Sequence, residues 1–344
     1  MFSFVLGASF VLSVAGPMTA DVDRTTAIAA AAGRPRECAA PHRRGRKPTV
    51  WQRAKTPRLG PYCDLVAKAT TLLDQDAHAS LEAANAADAA WPGHAGARAV
   101  KGRALLALGK ATDSLAAFDE ALAIDPSSLE DPKTMRDHAR ALAATGKLDA
   151  AADVYRTLVP RASLLADRAK TTVLLEAAFA VMGAAETGPP AELAVHLTEV
   201  ASYLAEARTD ETAPERGDVL LASALLHDRL GESSKASTFL AEATKTGTVP
   251  RDPTTPYVAN PADALALSAL GEEARDPRGA ATTWTEYLAA SKGSPFDARA
   301  RARLATLPKP VPGADATKPA APKPKPPPAP KKAKPPPAPK RAKP

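Results

Sequence analysis

Residues Ala95–Pro126, AGARAVKGRALLALGKATDSLAAFDEALAIDP, decide the fold. Apolar residues recur at helical spacing on both sides of Gly109, which reads as two amphipathic helices joined by a turn. Gly102, Ser114 and Ala121 are small enough to let the helices approach closely, while Leu105 and Phe118 fill the space between them. Gly109 supplies a backbone conformation that other residues avoid, and Asp125-Pro126 ends the second helix.

The same pattern spreads in both directions. Upstream, 64–73 and 80–90 are amphipathic, and Ser80, Ala84, Ala87 and Pro92 repeat the offsets of Ser114, Phe118, Ala121 and Pro126. Leu65, Leu72, Leu73 and Leu81 are the candidate core there. Downstream, Gly146 marks a turn and is followed by Ala151, Tyr155 and Leu158 at the second-helix positions. Gly109 and Gly146 lie 37 residues apart, whereas the prolines at 92, 126 and 160 keep a spacing of 34. We follow the glycine and aromatic register, which places three extra residues in the linker 127–133 and makes Pro160 an early helix stop. Helices are expected over 164–182 and 191–208, parted by a Gly and two prolines at 188–190. A further unit covers 218–247 with Leu220, Ala224, Gly231, Ala236, Leu240 and Ala243 in register. A loop at 251–260 leads to a pair over 261–290 with Ala280, Trp284 and Tyr287, and a short helix over 296–307 has the character of a solubilising cap.

The spacing of small and large residues, with the closing Ala-Leu-x-x-Asp-Pro phrase at 121–126, resembles the tetratricopeptide repeat. The resemblance implies an all-α, right-handed helical-repeat solenoid over 61–307. In that family ligands occupy the concave groove lined by the first helix of each repeat. Transferring those offsets puts Arg103, Arg136 and Arg140 on that surface, where guanidiniums would take an acidic peptide or a terminal carboxylate bidentately. The asparagines of the family's chaperone-tail clamp are absent from the matching positions, so that partner is not implied.

The two ends differ from this body. The opening MFSFVLGASFVLSVAGPMTA is uncharged and ends in small residues, as an export signal over 1–20 does, although no Lys or Arg precedes it. A membrane anchor is the alternative, but Pro17 comes after only about 15 apolar residues, short of a span. No transmembrane span is therefore expected in the mature chain. Residues 21–60 carry 10 Lys and Arg against 3 Asp and Glu, and 309–344 carry 10 against 1, so the basic balance lies in two arms around an acidic middle. Residues 21–60 lack periodicity and are expected to be disordered and mostly irregular. The tail 308–344 is Lys, Pro and Ala with KPPPAPK twice, which predicts a disordered, polyproline-II-like extension. Such arms attract anionic surfaces.

Cys38 and Cys63 are the two cysteines. An even count in an exported chain points to a disulfide between them, with free thiols as the alternative. A metal site on Cys38, His42 and Cys63 lacks a fourth ligand at any recognisable spacing, so none is expected. The sequence holds no catalytic motif, and His138, His196 and His227 fall in separate helical stretches as scaffold residues. The expectation is a non-enzymatic envelope scaffold without cofactor. It would bind a protein or peptide in the solenoid groove and an anionic envelope component through the tail. A nucleic-acid-associated protein using both basic arms is the runner-up, and it would require the N-terminal run to be retained.

Overall fold

The structure, a computed structural model, describes residues 35–38, 57–165, 169–189, 191–247, 257–258 and 260–308. The expected export signal, most of the basic segment 21–60 and nearly all of the Lys/Pro/Ala tail lie outside these residues. The described chain is all-helical, with thirteen α-helices and no strand. They are α1 Leu59–Leu72, α2 Ala77–Ala90, α3 Ala95–Ala107, α4 Ala111–Ile124, α5 Pro132–Ala144, α6 Leu148–Leu158, α7 Ala169–Thr187, α8 Leu193–Ala207, α9 Arg216–Arg229, α10 Ser233–Lys245, α11 Pro261–Glu272, α12 Pro277–Ala290 and α13 Asp297–Thr306. None of the described helices is long and apolar enough to cross a membrane.

Each helix packs against its partner in the pair: α1 with α2, α3 with α4, α5 with α6, α7 with α8, α9 with α10 and α11 with α12. The first helices of the pairs also touch in series, α1 to α3 to α5 to α7 to α9 to α11, and so form a continuous layer of their own. This is a helical-repeat array in which neighbouring units bury one another's apolar faces.

The sequence periodicity sets this packing directly. Ser80, Ser114, Ala151, Ala236 and Ala280 occupy one repeat position and are fully buried. The two serines make the same bond, Ser80 Oγ to the Ala69 carbonyl at 2.8 Å and Ser114 Oγ to the Gly102 carbonyl at 2.7 Å. Four residues on, Phe118, Tyr155 and Trp284 are buried fillers, and seven residues on lie buried Ala87, Ala121, Leu158, Ala243 and Tyr287. Gly109, Gly146 and Gly231 take positive φ values of 75°, 78° and 80° at the equivalent turns, the region where a Cβ is strained. The linker between α4 and α5 holds the extra residues, and Pro160 falls in a 3-10 turn, Val159–Leu164, that follows α6.

Two readings are corrected. In the first pair the core is Tyr62, Val66 and Ala69 together with Ala83, Ala84 and Ala87, whereas Leu65, Leu72, Leu73 and Leu81 are only half-buried. The buried face of α1 starts at Tyr62 and steps by four and three residues, which turns Leu65 and Leu72 to its flanks. Secondly, the helix expected over 164–182 is α7, which starts at Ala169 and runs to Thr187. The α7 helix is buried nearly all round, from Thr171 to Glu186. It is enclosed by α5, α6, α8 and α9 and reached by Tyr287 of α12, so it forms the centre of the array.

At the N-terminal end, residues 35–38 strap the first repeats together. Cys38 and Cys63 form a disulfide with Cα atoms 5.6 Å apart. Next to it, Glu37 Oε1 accepts from the Tyr62 hydroxyl at 2.8 Å and from the Gly96 N–H at 3.0 Å, while the Tyr62 oxygen accepts from the Ala97 N–H at 3.1 Å. His94 gives α3 no side-chain cap, so Glu37 meets the free amides and positive end of that helix from a distant part of the chain. At the other end α13 docks through Arg299 and Arg303, both paired with buried Asp228 of α9.

Candidate functional site

The site is a cavity of about 260 Å³ on the layer of first helices. It is lined by Leu106 of α3, Arg140, Ala143 and Ala144 of α5, Tyr155 of α6, Glu176 and Ala180 of α7, and the isolated pair Tyr257 and Val258. Its walls are small and apolar, with a few polar groups converging on one side, the usual make-up of a binding pocket.

Local sequence places these groups. Asp131 accepts from the Thr134 N–H at 3.1 Å and Pro132 occupies the first turn, which fixes where α5 begins. Arg136 and Arg140 then share one face at i and i+4, with Ala143 and Ala144 one turn further. Glu176 and Ala180 stand in the same relation on α7, and Leu106 lies one turn beyond Arg103 on α3.

The three arginines expected to share a surface are joined in one network. Arg103 donates from Nε to Asp137 at 2.8 Å. Arg136 holds Glu176 bidentately, Nε to Oε2 and Nη2 to Oε1, both at 2.8 Å. Tyr155 donates to the same carboxylate at 3.3 Å. Burial disfavours the Arg136 cation, but the hydrogen bonds and charge of Glu176 outweigh it and push the pKa above the ordinary guanidinium value. Burial, with the Glu176 charge second, pushes the Tyr155 hydroxyl well up, so it remains a donor.

Arg140 differs from the other two. Its side chain is 45% exposed, and it forms ion pairs with Glu176 at 3.7 Å and Asp137 at 3.8 Å, both longer than a hydrogen bond. Among the described residues it makes no hydrogen bond, and these two longer ion pairs leave it on the cavity lining. Two of the three arginines thus hold carboxylates by hydrogen bonds, and Arg140 is the most exposed of the three.

Sequence reasoning missed Glu176. The available signal was a single carboxylate inside the apolar run VLLEAAFAV, which has to find a cation or a donor once that run is buried. It also missed Tyr257 and Val258, which it assigned only to a loop.

A second polar cluster lies between α7, α9, α11 and α12. Arg229 pairs with Glu186 at 3.2 Å and with Asp263, and its guanidinium stacks over Phe296 at 4.3 Å. Glu186 also accepts from Tyr287 at 2.7 Å and Asn260 at 2.6 Å. The adjoining space is about 10 Å³, room for no more than about one water, so this cluster is an internal lock and not a pocket.

No protein-family model matches the chain, and no curated protein matches its sequence.

Proposed function

We propose that the protein is a tetratricopeptide-type scaffold whose first-helix layer binds an extended, acidic segment of a protein partner. The observation that carries this is Arg140, a 45% exposed cation on the cavity lining that is held only by two long ion pairs and makes no hydrogen bond among the described residues. Bidentate carboxylate recognition is what an exposed guanidinium offers, and the surrounding Leu106, Ala143, Ala144 and Ala180 suit the apolar part of a peptide. The repeat packing supports the family reading, because the first position and the one seven residues on are buried in five units, with a large buried filler between them in three, Phe118, Tyr155 and Trp284. The protein is exported to the cell envelope in this reading, a setting in which the Cys38–Cys63 disulfide is stable. The Lys/Pro/Ala tail, with its ten cations against one carboxylate, tethers the scaffold to an anionic envelope component.

The test is a peptide array of extended sequences in matched pairs that differ only in Glu against Gln at one position. Charge-assisted hydrogen bonds contribute about 1.5–3 kcal/mol, so the best Glu members should bind on the order of tenfold or more tighter than their Gln partners. Equal binding of all pairs would refute a carboxylate-reading groove.

A further inference from the structure

The cavity beside Arg140 has a buried floor and an exposed mouth. Ala143, Tyr155, Glu176 and Ala180 are buried, whereas Arg140 and Ala144 are exposed. Its volume of about 260 Å³ exceeds the roughly 150 Å³ of an apolar cavity that holds benzene, so a single six-membered ring leaves it part-filled and a fused double ring suits it. Alanines at 143, 144 and 180 keep that space clear where longer side chains would take it up, although α7 is otherwise buried nearly all round. Tyr155 and Tyr257 add aromatic walls, against which a ring packs edge to face.

The polar side of the cavity has one acceptor to spare. Glu176 Oε2 accepts from Arg136 Nε and the Tyr155 hydroxyl, while Oε1 accepts from Arg136 Nη2 alone, so among the described residues Oε1 has room for one further donor. Arg140 Nε lies 3.7 Å from that same oxygen. A neutral fused ring with one N–H matches this set of groups. The N–H donates to Glu176 Oε1, and the guanidinium lies over the ring face while turning its fork to a carboxylate. An aliphatic or phenyl group would leave the acceptor unmet.

We propose that the cavity seats the indole of a tryptophan in the acidic partner segment, two residues from the carboxylate that Arg140 takes. The inference rests on the peptide-binding reading above and adds the residue that fills the cavity and its place in the segment. Residues i and i+2 of an extended chain face the same side, as the cavity and the guanidinium at its mouth require, whereas i and i+1 face opposite sides.

Fluorescence anisotropy with the full-length protein tests this. The probes are fluorescein-labelled GAWAEAG-amide and GAEAWAG-amide, which place the pair in either direction. Each is compared with versions in which Trp is replaced by Leu, Ala or naphthylalanine, a fused double ring without an N–H, or in which Glu is replaced by Gln. The better Trp probe should bind the wild type about tenfold or more tighter than its Ala version, with Leu between them and naphthylalanine several-fold weaker than Trp. Ala180→Leu, checked for native helicity, fills the cavity from its floor and should remove the Trp advantage while the preference for Glu over Gln stays. Ala144→Leu narrows the exposed mouth and should reduce the Trp advantage, which keeps the test intact if Ala180→Leu does not fold. Equal binding of Trp and Ala versions, a Trp advantage that survives both substitutions, or no binding by any probe overturns the proposal. Naphthylalanine binding as tightly as Trp would overturn the bond to Glu176 and with it the choice of indole. A Glu preference without a Trp advantage would retain the acidic partner and remove the indole site, and the reverse pattern would retain the indole site and remove the acidic partner.

Discussion

A Cβ added to Gly102 would lie 2.8 Å from the ring of Phe118, so the pair that defines the repeat is in direct contact across the two helices. Phe118→Ala leaves a hole that the backbone cannot close, and it should cost about 3–5 kcal/mol in urea unfolding. These residues were legible because the partners lie within one repeat and their spacing carries the information. Asp263 was not legible. Its partners Arg229 and Glu186 are 34 and 77 residues away, and no periodicity links them. Burial, with the Glu186 charge adding and Arg229 only partly offsetting, pushes the Asp263 pKa up to about 7. The folded chain therefore holds a proton that the unfolded chain releases near pH 4. Stability is greatest below that pH as far as this group is concerned, falls by about 1 kcal/mol per pH unit as the pH rises towards 7, and levels off above it. The groups facing Asp263 are Arg229 and Glu186, with Asn260 and Tyr287 bound to the latter. Asp263→Asn should remove that slope in unfolding measured between pH 4 and 8, and an unchanged slope would place the titration elsewhere.

At the level of elements, the even helices were readable as repeat second helices because each carries one buried stripe. The α7 helix was readable as a helix but not as the centre of the array. Its apolar residues occupy all faces, so the sequence offers no period from which to infer a solvent side. The strap at 35–38 is a similar case: four residues with no periodicity are held by a disulfide, a carboxylate and the close contact of Pro35 with Gly96. A Cβ at Gly96 would meet the Pro35 ring at 2.4 Å. Gly96→Ala should thus destabilise the oxidised protein by about 1–3 kcal/mol, as overpacking does, through lifting Glu37 from the start of α3. After reduction of Cys38–Cys63 the strap is free to shift, so the same substitution should cost distinctly less. Equal costs in both redox states, measured by thermal unfolding, would mean that the disulfide does not hold the strap in place.

For the whole molecule, the extent of the array and its paired helices followed from repeated local spacing. The contents of its inner surface did not, because they depend on contacts between units. Arg103, Arg136 and Arg140 were placed on one surface through the offsets of a family resemblance, yet only the structure separates the two hydrogen-bonded to Asp137 and Glu176 from Arg140, which holds the same carboxylates only by longer ion pairs. Tyr257 and Val258 come from a long connection whose sequence gives no sign of its destination. The account thus centres on a single presented guanidinium beside an apolar cavity. The most direct test is equilibrium binding of the best Glu-containing array peptide to wild type, Arg140→Glu and, as a control, Arg301→Glu on the exposed face of α13. Charge reversal at Arg140 should weaken binding by at least tenfold while the control leaves it unchanged. Equal affinity for wild type and Arg140→Glu would contradict the account.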